Sequence, residues 1–575
     1  MLAKEMVTSP CPVNATTAPE SAARARFEAA MIRAEWQPRL FGPVSRAELL
    51  KLTPAWPCRG ARVRVHRNHG FDAVASAVAY YAGWNGMQFD FVAHGYDDSL
   101  SYSYAGDTDL DLIFLDTSRI HSLAGAELGS WLLARIEALR SRTMGPILVL
   151  AWPLPEAART ALDVARIPGV QAPDLEAIAR AMGDGWTSTR TEALTGSRLS
   201  NAACLRLGLE LGCRWLPACL YPPLKAIAVD LDDTLYHGVL AEDGPADLRL
   251  TEGHRGLQLD LAEIRRAGIF LVLVSRNDAK DVEELFRVRA DFPLRLEDFA
   301  AIEASWGSKA EAIARAAESL RIGADSLAFV DDNPGELGAV ASMLPVTTVH
   351  AGVDPEITRN ALAGVAGLFR WQRLHEDAVR MQDLAASKAR DRVASRAVSP
   401  AHYLKGLRVE LEYLVDPRHE LARIHELGMK TNQFTLSLRR FSEAELVQRL
   451  ENNCSRIVAV RLTDRLSASG IVAIVIGTVE GEVLRIEEIC VSCRALGRHL
   501  EDVMLHRAIR LVGEGHSVTR LVVPFRVGPR NQPAREWLRQ FLAVEVPDSD
   551  GDITVPYGRL QAPPAESAVQ MKIAR

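Results

Sequence analysis

The chain reads as a three-part α/β protein: two doubly wound, parallel-sheet units in succession, then an α+β unit. Three observations predict this. From Ala61, short strand-like runs alternate with Ala-rich helical stretches, and a second series of the same kind starts at Lys225. Beyond His402, strand-like runs follow one another with antiparallel-looking spacing. The 575 residues exceed what one hydrophobic core organises, so two to four domains are expected.

Residues 1–55 are Ala/Pro/Thr-rich and then weakly helical, and read as a tail with one or two helices. Residues 56–222 form the first unit. Arg62-Val63-Arg64-Val65-His66 alternates polar and apolar, as a half-buried strand does. Phe71 to Tyr81 is helical, Met87 to Ala93 and Leu110 to Leu115 are strands, Gly125 to Arg142 is helical, and Gly145 to Ala151 is a strand. The second unit, residues 223–370, has strands Ala226 to Val229, Ile269 to Val274 and Ser326 to Val330. Residues 371–400, rich in Arg, Asp and Ala, read as a helical linker. The third unit, 401–550, places helices at Pro417 to Leu427, Ser442 to Asn452 and Leu500 to Val512. Its strands are Ser455 to Leu462, Ser467 to Val479 and Glu482 to Cys490. Residues 551–575 read as a C-terminal tail.

Composition narrows the function classes. Hydrophobic content of 48% and charged content of 24% suit a globular enzyme. A net charge of -6 argues against binding a nucleic-acid backbone, which needs clustered excess Lys and Arg. No stretch approaches the ~20 apolar residues of a membrane span, and the first residues lack a signal-peptide core, so neither membrane nor nucleic acid is expected as a partner. The eight Cys are scattered, with one isolated CxxC at Cys490 and Cys493, which reads as reduced thiols in a cytoplasmic protein.

The strongest signal is Ile227-Ala228-Val229-Asp230-Leu231-Asp232-Asp233-Thr234-Leu235. A short apolar strand delivers two carboxylates, two residues apart, to its C-terminal end, where open α/β sheets bind ligands. One carboxylate can attack phosphorus while the other handles the leaving-group proton, and both need a divalent cation to offset phosphate repulsion. Ser275 follows Phe270-Leu271-Val272-Leu273-Val274 and can hold a phosphate oxygen. Lys309, in Trp306-Gly307-Ser308-Lys309, can neutralise phosphate charge. Asp331 and Asp332 follow Leu327-Ala328-Phe329-Val330 and supply further metal ligands of the oxygen type that Mg²⁺ prefers. The 41 positions from Thr234 to Ser275 and the 34 from Ser275 to Lys309 are filled by the core elements themselves, so the site has no large lid.

This ordered set resembles the haloacid dehalogenase superfamily. The resemblance implies a capless Rossmann-like domain in which Asp230 forms an aspartyl-phosphate and Asp232 is the acid/base. It further implies that Lys309 and Ser275, with Thr234 and Asn277, grip the phosphoryl group. Asp230, Asp232 through its backbone carbonyl, Asp331 and Asp332 would hold Mg²⁺. Longer stretches sharpen the likeness: Val239-Leu240-Ala241-Glu242-Asp243-Gly244, Val330-Asp331-Asp332-Asn333-Pro334-Gly335-Glu336, Lys430-Thr431-Asn432-Gln433-Phe434 and Cys493-Arg494-Ala495-Leu496-Gly497-Arg498. Together, from about residue 60 to 545, these look like the FkbH-like proteins of polyketide biosynthesis. Such proteins take a glyceryl unit from 1,3-bisphosphoglycerate, remove phosphate and place the unit on an acyl carrier protein. Departures from the usual pattern are Val274 where many relatives have Cys, Asp233 where Asn is usual, and Tyr236-His237 in place of an aromatic-Gly pair.

The resemblance also colours the flanking units. Residues 60–220 look like a flavodoxin-like relative of SGNH hydrolases, yet the segment has Gly106-Asp107-Thr108 where a working hydrolase has Gly-Asp-Ser. A scaffold or binding role is therefore expected, with Asn68-His69 and Asp97-Asp98-Ser99 as turn residues or pocket lining. The C-terminal unit resembles an N-acetyltransferase fold, whose R/Q-x-x-G-x-G/A loop binds a CoA pyrophosphate at a helix start. Here His499 takes the last small position. Arg494, Gly497 and Arg498 are expected to hold a phosphopantetheine arm, and Cys493, at a helix start and followed by Arg494 and Arg498, to be a candidate acyl acceptor. Three readings stay open: a phosphatase and acyl transferase acting on a carrier protein, a stand-alone phosphatase for a small phosphorylated metabolite, and a scaffold that keeps the fold without the chemistry.

Overall fold

In a computed structural model, the structure describes residues 19–43, 46–49, 51–52, 58–93, 95–102, 108–372 and 399–575, with scattered positions between 383 and 393. Three sheets are present among them. The first unit holds β1 (Arg59–Arg67), β2 (Met87–Ala93), β3 (Leu110–Asp116), β4 (Ile147–Trp152) and a two-residue β5 (Val170–Gln171). All pair in parallel, in the order β2-β1-β3-β4-β5. Gly106 and Asp107, which depart with Thr108 from the hydrolase block, lie outside the described residues.

The central unit holds β6 (Ala226–Val229), β7 (Phe270–Ser275), β8 (Phe299–Ala304), β9 (Leu327–Asp331) and β10 (Thr347–His350), all parallel in the order β10-β9-β6-β7-β8. Every residue of β6, β7 and β9 is buried, because helices cover both faces of a parallel sheet and leave no polar side to alternate with. β8 and β10, unmarked in the sequence, are edge strands. Their burial is interrupted, so they lack the continuous apolar run that betrays a central strand. The chain reverses direction of strand addition between β6 and β9, and a crevice opens at that switch point, outside the carboxyl ends of the strands. Between β6 and β7 lie only the helices Leu240–Asp247 and Glu252–Arg266, in keeping with a site without a lid domain.

Within residues 1–55 the expected helices are present, Pro19–Phe41 and Arg46–Leu49, and the 23-residue first one is no tail: it packs on the central unit. Arg26 donates to the carbonyls of Ala341 and Ser342, and Gln37 pairs with both backbone groups of His350. The same helix reaches the first unit, where Arg33 and Trp84 exchange side-chain-to-carbonyl hydrogen bonds. Its weak amphipathicity hid this, since both of its flanks have partners. Residues 551–575 are not a tail either. They supply β16 (Gly551–Pro556) and β17 (Gln570–Ala574), the two edges of the C-terminal sheet.

That sheet has seven strands, in the order β16-β15-β14-β13-β12-β11-β17, with β11 (Glu410–Val415), β12 (Ser455–Thr463), β13 (Ala468–Glu480), β14 (Val483–Val491) and β15 (Arg520–Phe525) between the edges. β11 to β14 are antiparallel, whereas β14 and β15 are parallel and pair over three residues at their starts before diverging. Backbone groups of β14 beyond the divergence are met by the segment Phe434–Leu436: Leu436 N donates to Ile489 O and Val491 N to Phe434 O. Much of the linker expected at 371–400 lies outside the described residues. Its described positions Asp383, Leu384, Ser387 and Arg390 are helical, and Asp383 and Arg390 are buried against the C-terminal unit.

Candidate active site

The strand ends bring the four sequence elements together. Asp230 follows β6, Ser275 closes β7, Asp331 closes β9, and Lys309 opens the helix Lys309–Ser319 that follows β8. Asp230 is 5% exposed, and Ser275, Lys309 and Asp331 are likewise buried. The Lys309 ammonium lies 3.0 Å from Asp230 Oδ2 and 2.6 Å from Asp331 Oδ2. Asp331 also accepts from the Asn333 amide, which fixes it as the chain turns into the next helix.

One ammonium between two buried carboxylates leaves a deficit of positive charge. Burial, with Asp331 adding to it, pushes Asp230 up to about 7 despite Lys309 beside it. Burial also raises Asp331, and burial with Asp331 pushes Asp332 up to about 6. Lys309 is held charged: burial opposes its charge, but Asp230 and Asp331 outweigh this. Carboxylate oxygens of Asp230, Asp331 and Asp332 converge within 4.8 Å of one another. An all-oxygen set with uncompensated negative charge fits a small, hard divalent cation such as Mg²⁺. The Asp232 side chain is not in this cluster.

The Asp232 carboxylate is held from three directions. Oδ1 accepts from the Tyr236 hydroxyl at 2.7 Å and the Leu240 amide at 2.9 Å, and Oδ2 accepts from Asn277 Nδ2 at 2.7 Å. Asn277 also donates to Ser275 Oγ at 2.8 Å, which ties the acid/base candidate to the hydroxyl expected to hold a phosphate oxygen. Asp233, where Asn is usual, adopts a left-handed φ of 48° and accepts from the Gly238 amide at 2.9 Å. Asn and Asp tolerate this conformation best, so the exchange preserves the turn. Thr234 is buried, and its hydroxyl has no partner among the described residues.

Sequence reasoning missed two supports. Tyr236 stood out only as a departure from pattern, although its hydroxyl touches Asp232. The second is His350, whose Nε2 donates to the Asp332 carbonyl at 2.9 Å while Gln37 of the N-terminal helix holds its backbone. The signal for Tyr236 was its position two residues past Thr234; none marked His350.

The expected second centre, Cys493 with Arg494, Gly497 and Arg498, has a different setting from the one anticipated. Cys493 is free, half-buried and in a loop that precedes the helix Glu501–Val512 by eight positions, so it is not at a helix start. Arg498 turns away into a buried network, donating to Asp383 at 2.8 Å and Ser469 at 3.1 Å and lying 3.4 Å from Asp464. The Gly497 amide donates to Glu501. Cys493, Arg494 and Arg498 do line one cleft, formed against the central unit by Lys225, Phe270 and Arg321. Those residues sit at or before the amino ends of the central strands, whereas Asp230 and Asp331 sit at the carboxyl ends. In the first unit, Asn68 and His69 are buried: Asn68 exchanges hydrogen bonds with the Asp116 backbone, and His69 shares one with Ser197 Oγ at 2.9 Å. Asp97 caps its own turn through Ser99 and Ser101.

No family model matches the chain, and no curated protein does. Among solved structures, it is similar to the N-terminal part of a Bacteroides fragilis protein containing a phosphatase domain complexed with Mg. The identity is 19% and the TM-score 0.44, over 60% of this chain and 98% of that one. It is also similar to a spermidine N-acetyltransferase from Vibrio cholerae, solved with CoA and spermine, at 13% identity and a TM-score of 0.20, over 27% of this chain and 98% of that one. No helix is long and apolar enough to cross a membrane among the described residues.

Proposed function

We propose that the chain is a Mg²⁺-dependent phosphatase and acyl transferase: it dephosphorylates a phosphoglycerate-type donor such as 1,3-bisphosphoglycerate and loads a glyceryl or related unit onto an acyl carrier protein. The observation that carries the phosphatase part is the buried Asp230–Lys309–Asp331 cluster at the switch point, with Asp332 beside it and Ser275 and Asp232 joined through Asn277. Magnesium bound by Asp230, Asp331, Asp332 and the Asp232 carbonyl would offset phosphate charge. An Asp230 oxygen attacks phosphorus, the bond to the leaving oxygen breaks, and that oxygen takes a proton from Asp232. Water then attacks the phosphoryl-aspartate and gives its proton to Asp232, freeing phosphate and Asp230. Lys309 and Ser275 hold the phosphoryl oxygens.

The acyl-transfer part is supported by the family-like loops around Cys493 and by the absence of a lid, which suits a substrate delivered by a macromolecule. In that step a thiol sulfur displaces phosphate from the acyl phosphate, forming a thioester. One observation favours a second reading, a stand-alone phosphatase for a small metabolite: the Cys493 cleft and Asp230 lie at opposite ends of the central strands, which span roughly 13–20 Å at ~3.3 Å per residue. Intact-mass measurement of a phosphopantetheinylated carrier protein incubated with enzyme, Mg²⁺ and 1,3-bisphosphoglycerate separates the two. A glyceryl adduct supports transfer, and phosphate release with an unmodified carrier supports the second reading.

A further inference from the structure

The first unit repeats, on its own sheet, the arrangement that opens the crevice of the central one. Its strands run in the order β2-β1-β3-β4-β5, so the direction of strand addition reverses between β1 and β3, and a crevice forms beyond their carboxyl ends. Asn68 and His69 follow β1 directly, and Asp116 closes β3. Asn68 exchanges hydrogen bonds with both backbone groups of Asp116, which clamps the two strand ends together. The proposed phosphatase chemistry uses none of these groups.

A small pocket lies there, walled by Phe114 and Asp116 of β3, Trp152 of β4, and His69, Trp186 and Arg198. Leu150, Leu175 and Leu207 complete its buried apolar wall. Within the lining only Trp152 and Arg198 are partly exposed, and they mark the mouth. The interior free volume is about 20 Å³ within about 300 Å³ of space that includes the mouth. That is room for a handful of heavy atoms.

The pocket offers donors and no spare charge. Asp116 accepts from Arg198 Nε at 2.8 Å, from Arg198 Nη2 at 2.7 Å and from Ser118 Oγ at 2.6 Å, so carboxylate and guanidinium neutralise each other. His69 is neutral, because burial disfavours its charged form, and its Nδ1 is engaged by Ser197 Oγ. The indole N–H groups of Trp152 and Trp186 are different. Both nitrogens are buried, and neither has a hydrogen-bond partner among the described residues. Trp186 as a whole is 3% exposed. The two rings meet edge to face with centroids 5.6 Å apart. A buried donor without an acceptor costs stability, and native folds rarely leave one so. Two in one pocket call for an acceptor from outside the chain.

We infer that this pocket binds a small neutral molecule with a carbonyl-type acceptor on a short apolar body, the acceptor meeting the N–H groups of Trp152 and Trp186. A carbonyl oxygen has two lone pairs, one for each indole. A carboxylate would find the one lining cation, Arg198, already paired, and an ammonium would find Asp116 already paired. The inference is independent of the phosphatase and acyl-transfer readings.

Magnetic resonance of the indole N–H groups in the full-length protein, carrying isotope-labelled tryptophan, tests this. Trp152→Phe and Trp186→Phe assign the two signals. Propanamide at millimolar concentration, within reach of a ligand of a handful of heavy atoms, should shift both signals saturably and leave the other indoles in place. Propanoate and propylammonium, of similar size, should bind about tenfold more weakly. Each variant keeps an aromatic ring, and each should weaken propanamide binding about three- to tenfold on the remaining signal, the loss of one neutral hydrogen bond. If Trp186→Phe disturbs the fold, seen as movement of all other indole signals, Trp152→Phe at the mouth decides the comparison. Absence of a saturable shift, equal binding of propanoate or propylammonium, or unchanged affinity in the variants would overturn the inference. So would a long-lived water only, seen by magnetisation transfer to both N–H groups and not displaced by propanamide.

Discussion

The Tyr236 hydroxyl donates to Asp232 Oδ1 at 2.7 Å, from a ring that is fully buried against Phe292. The hydroxyl therefore cannot swing away to solvent, and with the Leu240 amide and Asn277 it fixes the orientation of Asp232, the proposed acid/base. Removing one hydrogen bond to a charged group costs about 1.5–3 kcal/mol. Tyr236→Phe keeps the packing and should lower kcat for phosphate-ester hydrolysis by about 10- to 100-fold with KM little changed. An equal loss through KM would show that the hydroxyl serves substrate binding instead.

Metal dependence follows from the charge deficit around Lys309. Chelation should abolish hydrolysis, and Mg²⁺ should restore it. Ca²⁺ should restore it poorly, since its longer and looser coordination misplaces the phosphoryl group among Asp230, Asp331 and Asp332. Rates measured after dialysis against each ion check this; full activity in the chelated enzyme would contradict it.

Which parts were legible in the sequence has a physical pattern. β6, β7 and β9 were readable because central parallel strands are apolar throughout, and Asp230, Ser275 and Asp331 were readable because each directly ends such a run or follows it. The edge strands β8, β10, β16 and β17 carry no such run. The helix Pro19–Phe41 lies between two units and has no single apolar stripe to mark it. The Cys493 loop was read by analogy with helix-start anion sites. What the motif could not disclose was Asp383, 115 positions before Arg498, which draws that guanidinium inward.

If acyl groups pass through an enzyme thioester, Cys493 is the thiol placed for it, since it lines the cleft while Cys490 beside it is fully buried. Cys493→Ala should then block acyl loading of a carrier protein and leave hydrolysis of a generic phosphate ester unchanged. Loading at the normal rate by Cys493→Ala, followed by intact mass, would mean that transfer to the carrier is direct.

Acid stability should report on His69, which is 5% exposed and stacked on Phe114 at 4.3 Å. Burial, reinforced by nearby arginines, pushes its imidazole down to about 4, against about 6.5 in an unfolded chain. Between these values the unfolded chain binds a proton that the native one does not. Stability therefore falls as pH drops from about 6.5 to about 4, by about 3 kcal/mol in all, and is insensitive to this group above about pH 7. His69→Phe should flatten that slope in urea unfolding followed through Trp152 and Trp186, which lie in the same unit. An unchanged slope would place the acid sensitivity elsewhere.

Rapid acid quenching during turnover of a phosphate ester with Mg²⁺, followed by peptide mass mapping, tests Asp230 as the proposed nucleophile. A phosphoryl group should be found on the Asp230 side chain in the wild-type chain, and neither that adduct nor phosphate release in Asp230→Asn, whose amide cannot attack phosphorus. Phosphate release by Asp230→Asn near the wild-type rate, or a phosphoryl group trapped on another residue, would contradict it.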